Sequence, residues 1–219
     1  MTGSVRGPAL KISEIFLSLQ GESSRVGLPT VFVRLTGCPL RCVWCDTAYA
    51  FQGGRTMPLP EVLAVIASYG VRHVCVTGGE PLAQHNCLIL LRELGDAGHS
   101  VSLETSGALD IAGIDRRVSR IVDLKAPGSG ECARNRWQNL ELLTAQDEIK
   151  FVLRDRVDYE WARSEVVERR LADVCPLLFS PVATELPPAT LAGWIVDDRL
   201  PVRFQLQLHK ILWGDERSR

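Results

Sequence analysis

Three cysteines, Cys38, Cys42 and Cys45, stand in CPLRCVWCDT with three and then two residues between them, and the segment runs straight into Asp46 and Thr47. Thiolates are soft ligands suited to zinc or to iron–sulfur clusters. A structural zinc site normally closes with four protein ligands, usually as two separated pairs, whereas here three ligands crowd into one loop. A 4Fe–4S cluster held by three thiolates keeps one iron free for an exogenous ligand, the arrangement needed to bind and cleave a cofactor. Zinc with a fourth ligand from Cys132, Cys175 or a histidine is the alternative. Seven cysteines are an odd number, which argues against a disulfide framework, and Cys75, Cys87, Cys132 and Cys175 are expected to pack as small apolar residues.

A second segment, Thr77-Gly78-Gly79-Glu80-Pro81, has the composition of a site that approaches a zwitterion. Glycines lack Cβ atoms, so backbone N–H and C=O groups can come close to a ligand, and Glu80 can pair with an ammonium. Without the cysteines the same residues would read as an ordinary turn at the end of a strand.

Apolar runs rich in β-branched residues predict strands over 30–36, 73–78, 100–105, 120–125, 147–153, 176–182 and 202–210. Between them, 60–70, 85–98, 136–145, 158–171 and 188–197 read as helices. Strand followed by helix, repeated, implies a mostly parallel sheet with crossover helices. Ligand chemistry in such folds gathers at the C-terminal ends of the strands. Thr77, Glu104, Ser106, Asp123, Lys125, Lys150 and Ser180 stand at or near those ends, and Gln205, Gln207 and His209 alternate along the last predicted strand.

The 219 residues suit one well-buried domain spanning 1–219, and a formal net charge of −1 provides no basic stripe for nucleic acid. The opening MTGSVRGPALKI has no apolar signal-like region, and no segment approaches the roughly 18 to 20 apolar residues that span a bilayer. A cytoplasmic enzyme acting on a small molecule is expected, with neither nucleic acid nor membrane as a partner.

The cysteine spacing, with Trp44 just before the last cysteine, resembles the signature of the radical S-adenosylmethionine (SAM) superfamily, and TGGEP resembles that superfamily's second motif. More narrowly, Leu19-Gln20-Gly21-Glu22, Arg34 four residues before the first cysteine, Cys45-Asp46-Thr47 and QLQLHK at 205–210 are together similar to the 7-carboxy-7-deazaguanine synthase (QueE) family over nearly the whole chain. The resemblance implies an α/β fold, a partial (β/α) barrel of radical SAM type with a reduced helical complement. It implies a carbon–nitrogen lyase of queuosine biosynthesis that turns 6-carboxy-5,6,7,8-tetrahydropterin into 7-carboxy-7-deazaguanine with loss of ammonia. SAM would chelate the free iron, and one-electron reduction would release a 5′-deoxyadenosyl radical that abstracts hydrogen. It further implies Mg²⁺, a homodimer, and an electron donor such as flavodoxin or ferredoxin. Another radical SAM enzyme, such as a glycyl-radical activase, and a zinc-bearing interaction module are the competing readings.

On this resemblance Cys38, Cys42 and Cys45 hold the cluster. Leu19, Gln20, Gly21, Arg34 and Thr77 contact the pterin, Trp44, Cys45, Asp46 and Gly79 contact SAM, and Thr47 ligates Mg²⁺. Glu80, Glu104 and Lys125 are assigned to SAM on chemical grounds, Glu104 and Lys125 being the best placed of the strand-end polar residues. A guanidinium is the natural clamp for the pterin's carboxylate. Arg34 can serve if the strand face it shares with Phe32 and Thr36 points into the barrel. No side chain is assigned as acid or base, because the radical performs the abstraction. Some members of the family also use the terminal carboxylate on substrate.

Overall fold

The computed structural model describes residues 7–214 and 216–218, so the terminal carboxylate of Arg219 lies outside the described residues. Nine strands form one sheet: β1 (Ala9–Leu19), β2 (Pro29–Leu35), β3 (Arg55–Pro58), β4 (His73–Gly78), β5 (Ser100–Thr105), β6 (Ser119–Leu124), β7 (Glu148–Leu153), β8 (Leu177–Pro181) and β9 (Arg203–Phe204). Their order is β3-β1-β2-β4-β5-β6-β7-β8-β9. From β2 onward the neighbours run parallel, whereas β1 pairs antiparallel with both β2 and β3. Helices α1 (Leu59–Ser68), α2 (Cys87–Asp96), α3 (Arg156–Glu168) and α4 (Pro188–Asp197) make crossovers, and α5 (Leu208–Trp213) ends the barrel.

The period of two sorts each strand into an outer and an inner face. Val31, Val33, Leu35, Val74, Val76, Val101, Leu103, Val122, Ile149 and Phe151 point outward and are buried in one core with Val62 and Ile66 of α1, Leu90, Leu91 and Leu94 of α2, and Tyr159 and Ala162 of α3. Full burial of each Leu or Val contributes about 1.5–3 kcal/mol relative to exposure. The residues between them, Phe32, Arg34, Thr77, Glu104, Asp123 and Lys150, point inward and line a cavity. Of the face expected to hold Phe32, Arg34 and Thr36, Phe32 and Arg34 line the cavity, whereas Thr36, just past the end of β2, does not.

The helical complement is reduced as expected. The β5–β6 connection has no α-helix, and the β6–β7 connection has only short 3₁₀ turns at Pro127–Ser129, Cys132–Arg134 and Trp137–Leu142. The helix predicted over 136–145 is accordingly a 3₁₀ turn. The Asn139 side-chain amide donates to the carbonyls of Gly107 (3.0 Å) and Leu109 (2.8 Å), which fastens this segment to the turn after β5.

The strand predicted over 202–210 is also corrected: it stops at Phe204, and Leu208–Trp213 is helical. Gln205 N still donates to Phe179 O of β8 at 2.9 Å, and its side-chain amide exchanges two hydrogen bonds with the backbone of Ser23, at 2.9 and 3.0 Å. Leu208 N then donates to Gly21 O at 3.0 Å. The loop after β1 thus meets the segment after β9, while the nine-stranded sheet itself stays open.

The hairpin β1–β2, absent from the sequence-based expectation, contains an irregularity. Ile12 faces Leu35 and Glu14 faces Arg34, so two steps along β1 match one along β2. This is the signature of a β-bulge, with Ser13 as the extra residue. It turns Ile12 to the core face and Glu14 to the inner face.

Candidate active site

The inner face opens into a cavity of about 260 Å³ at the C-terminal ends of the strands. Its wall brings together Leu19, Gln20 and Gly21 from the loop after β1, Arg34 from β2, Cys38, Cys42, Trp44, Cys45, Asp46 and Thr47 from the loop after β2, Thr77 and Gly79 from β4 and its end, and Glu104 and Lys125 from β5 and β6. All the site residues expected from the sequence are there except Glu80.

The loop carrying the three cysteines is pinned from the far side of the barrel. Val43 N donates to Ser129 O at 3.0 Å, Arg41 N donates to Glu131 Oε1 at 2.6 Å, and the Arg154 guanidinium lies 5.8 Å from the Trp44 ring centre. Cys38, Cys42 and Cys45 are unbridged and half-buried. Burial pushes the Cys38 and Cys42 thiols up, so they carry protons until a metal displaces them. Among the described residues no three His, Cys, Asp or Glu side chains converge on a single ion. A cluster does not need that convergence, because each thiolate binds a different iron, and three accessible thiols on one cavity wall fit it.

Gly79 is required by packing. A Cβ there would sit 2.3 Å from Gly37 O and 2.8 Å from Cys38 Cβ, so the end of β4 lies flush against the start of the cysteine loop. Gly79 N donates to Leu35 O at 3.1 Å and Glu80 N to Gly37 O at 2.8 Å. This corrects part of the expectation: the glycine's freedom serves protein backbone as well as any ligand.

Glu80 is the second correction. Its carboxylate is fully buried and accepts from Leu82 N (3.0 Å), Thr105 Oγ1 (2.9 Å), Ser106 N (2.8 Å) and Ser106 Oγ (2.5 Å). Four donors fill its acceptor positions and hold it behind the cavity wall, so this geometry gives it no direct pair with the SAM ammonium.

On the cofactor side, Asp123 Oδ1 is buried in the cavity wall without a partner among the described residues, an unmet acceptor suited to an amine or a hydroxyl. Its other oxygen pairs with Lys125 Nζ at 2.9 Å. Burial alone would lower the Lys125 pKa, but Asp123 raises it, so the ammonium is kept charged. Asp46 accepts from Gln207 Nε2 (3.3 Å) and lies 3.6 Å from Lys210 Nζ, which ties the cysteine loop to the QLQLHK segment.

Opposite, Thr77 Oγ1 donates to Glu104 Oε2 at 2.9 Å and Gln20 Nε2 to Oε1 at 3.4 Å. Burial, with Glu22 nearby, raises the Glu104 carboxyl above its ordinary range. Gly21 lies against the His209 ring: a Cβ on it would meet Nδ1 at 2.2 Å. Glu14, Glu22 and Tyr49 carry no role that the sequence pattern announced. Glu22 was visible as the last residue of the LQGE segment. Glu14 had no signal other than the switch of apolar parity around Ser13.

The profile of the Radical SAM superfamily matches residues 32–166. The 7-carboxy-7-deazaguanine synthase of Koribacter versatilis is 42% identical over 94% of this chain and 98% of that protein. Its counterpart in Chlorobaculum tepidum is 43% identical over 94% and 96%. The chain belongs to the 7-carboxy-7-deazaguanine synthase family. The crystal structure of QueE from Escherichia coli superposes with a TM-score of 0.73 at 26% identity, over 92% of this chain and 95% of that one. Streptococcus suis SuiB bound to its precursor peptide shares the fold alone, with a TM-score of 0.55 at 15% identity over 78% of this chain and 46% of that one. Membership of the 7-carboxy-7-deazaguanine synthase family makes this chain a radical SAM enzyme, for which a 4Fe–4S cluster and SAM are the implied cofactors. Among the described residues no helix is long and apolar enough to cross a membrane.

Proposed function

We propose that this chain converts 6-carboxy-5,6,7,8-tetrahydropterin to 7-carboxy-7-deazaguanine with release of ammonia. The observation that carries the reading is that one cavity is lined both by the three cysteines and by the Arg34 guanidinium. Ligands for a radical source and a carboxylate clamp would therefore share one cavity. Cys38, Cys42 and Cys45 would hold the cluster, and the open side of that loop, with Trp44, Gly79, Asp123 and Lys125, would receive SAM. Cluster and SAM, once bound and given one electron, would supply a 5′-deoxyadenosyl radical.

The protein's own task is orientation. Two Nη groups of Arg34 can take the substrate carboxylate as a fork, while Gln20, Thr77 and Glu104 present amide, hydroxyl and carboxyl groups to the pterin's polar edge. Thr47 would give Mg²⁺ a hydroxyl ligand; it starts a 3₁₀ turn without using its side chain as a cap. A homodimer, a flavodoxin or ferredoxin donor and a cytoplasmic location complete the proposal.

The experiment is an anaerobic incubation of reconstituted protein with SAM, dithionite, Mg²⁺ and the carboxypterin, read by mass spectrometry. The deazapurine is expected, with consumption of SAM. Formation of 5′-deoxyadenosine with the pterin untouched would assign the radical to another substrate, as in an activase.

A further inference from the structure

Arg34 and Glu14 face one another across the β1–β2 ladder only because of the bulge at Ser13. In an unbroken register, Leu10, Ile12 and Glu14 would share one face, and that face is the apolar core, in which Leu10 and Ile12 are buried. The bulge brings a carboxylate to the inner face at the one place where β2 presents its guanidinium. Arg34 Nε donates to Glu14 Oε1 at 2.5 Å, with the two side chains only 14% and 16% exposed. Arg34 lines the cavity and Glu14 does not, so Glu14 stands behind the guanidinium as seen from the cavity.

Glu14 is itself fixed at both oxygens. Tyr49 Oη donates to Oε1 at 2.9 Å and Ser218 Oγ donates to Oε2 at 2.8 Å. Two guanidiniums lie near the Tyr49 ring, Arg217 at 4.2 Å and Arg34 at 5.9 Å from its centre. Among the described residues the Nη groups of Arg34 make no hydrogen bond, its one bond being through Nε. A guanidinium presents two forks, and a carboxylate taken at Nε fixes the plane in which the other fork lies.

We propose that Glu14 is a positioning residue: by taking Nε it aims the two Nη groups of Arg34 at the carboxylate of the bound ligand, and Tyr49 and Ser218 hold it in place. The proposal rests on the reading of the cavity as a carboxypterin site. It predicts that Glu14 acts on the ligand's carboxylate and on no other part of it.

The test uses anaerobically reconstituted protein with SAM and Mg²⁺, titrated by fluorescence with two unreactive aromatic pterins, pterin-6-carboxylate and 6-methylpterin. Glu14→Ala should weaken pterin-6-carboxylate about tenfold and leave 6-methylpterin within about twofold, because only the carboxylate fork is misaimed. Glu14→Gln keeps an oxygen for Nε and should stay within about threefold of wild type for both. Should Glu14→Ala fail to fold, Glu14→Asp withdraws the acceptor by one methylene and should show the same selectivity at about fivefold. Equal weakening of both pterins would mean that Glu14 only supports the hairpin, and tighter binding of the carboxylated ligand would mean that Glu14 competes with it; either overturns the proposal. A wild-type protein with no preference for the carboxylated pterin would instead overturn the carboxypterin reading beneath it.

Discussion

Lys150 donates to the Glu22 carboxylate inside the barrel, joining residues 128 positions apart, with side chains 12% and 11% exposed. Gln207 Nε2 adds a third member at 2.7 Å from the other Glu22 oxygen. Burial opposes the Glu22 charge, yet Lys150 holds its carboxyl below the ordinary range. Burial likewise opposes the Lys150 charge, and Glu22 lifts it well above the usual lysine value.

These directions fix the pH dependence. Glu22, depressed in the folded state, contributes stability that is present above its unfolded pKa and is lost as pH falls through the folded value. Lys150, raised when folded, contributes stability that is complete below its unfolded pKa and is lost only as pH rises through the folded value, beyond the working range. Lys150→Met strands a buried carboxylate, at a cost of about 3–5 kcal/mol at neutral pH. The unpaired Glu22 then holds its proton more tightly when folded than when unfolded, so the variant's stability should fall as pH rises above about 4.5. Denaturant melts from pH 4 to 8 test this: a profile parallel to wild type would show that Lys150 does not carry the Glu22 charge.

Glu80 separates structure from ligand contact. With Thr105, Ser106 and Leu82 all donating to it, Glu80→Gln turns an amide NH₂ toward donors and should cost about 1–3 kcal/mol. Because Glu80 lies behind the cavity wall, SAM affinity measured on the folded, reconstituted variant should stay within about twofold of wild type. A large loss of SAM affinity with unchanged stability would restore the direct ammonium contact.

Cys42→Ala removes one of three thiolates, and the reconstituted protein should fall from about four irons per chain to a small residue. Cys132→Ala is the control. Its thiol is half-buried beside Asn135 and is no part of the cavity wall, so iron content should be unchanged. Iron lost from the control instead would make Cys132 a ligand.

The parallel strands were legible because buried β2 and β4 to β8 carry dense apolar runs, with β-branched residues in all but β8, and polar residues at the C-terminal ends of β4 to β7 mark the cavity edge. β1 was not, because Leu10 and Ile12 lie on one parity and Ile15 and Leu17 on the other, so the bulge breaks the alternation that reveals a strand. QLQLHK showed a strand's alternation, but Gln205 and Gln207 spend their amides on Ser23 and Glu22, partners about 180 residues away that no local pattern announces. A shorter separation hid the fate of Glu80: Thr105 and Ser106, at the end of β5, lie 25 and 26 residues on, and only the folded sheet sets them beside the end of β4. The motif residues of the site were legible because they lie in short segments, whereas Glu14 and Tyr49 act through Arg34 and have no motif.

Thr47 tests the metal part of the proposal. It stands at the start of the 3₁₀ turn Ala48–Phe51, where a hydroxyl commonly caps the following backbone. Here it makes no cap bond; its carbonyl accepts from Ala50 N at 2.8 Å, and its hydroxyl lies 3.8 Å from Cys45 Sγ. Apart from that weak sulfur contact the hydroxyl has no partner among the described residues, and Thr47 lines the cavity that Arg34 also lines. Mg²⁺ is a hard cation that keeps water and takes few protein oxygens, so a single hydroxyl can seat it when substrate oxygens complete the shell. The ion would then hold the pterin carboxylate in register, an orienting role that leaves cluster and SAM untouched. Thr47→Ala should therefore retain iron and SAM affinity, keep the fold, and lose most of the stimulation of turnover by Mg²⁺. Thr47→Ser, which restores the oxygen, should recover it; an alanine variant that responds to Mg²⁺ as wild type does would place the metal elsewhere.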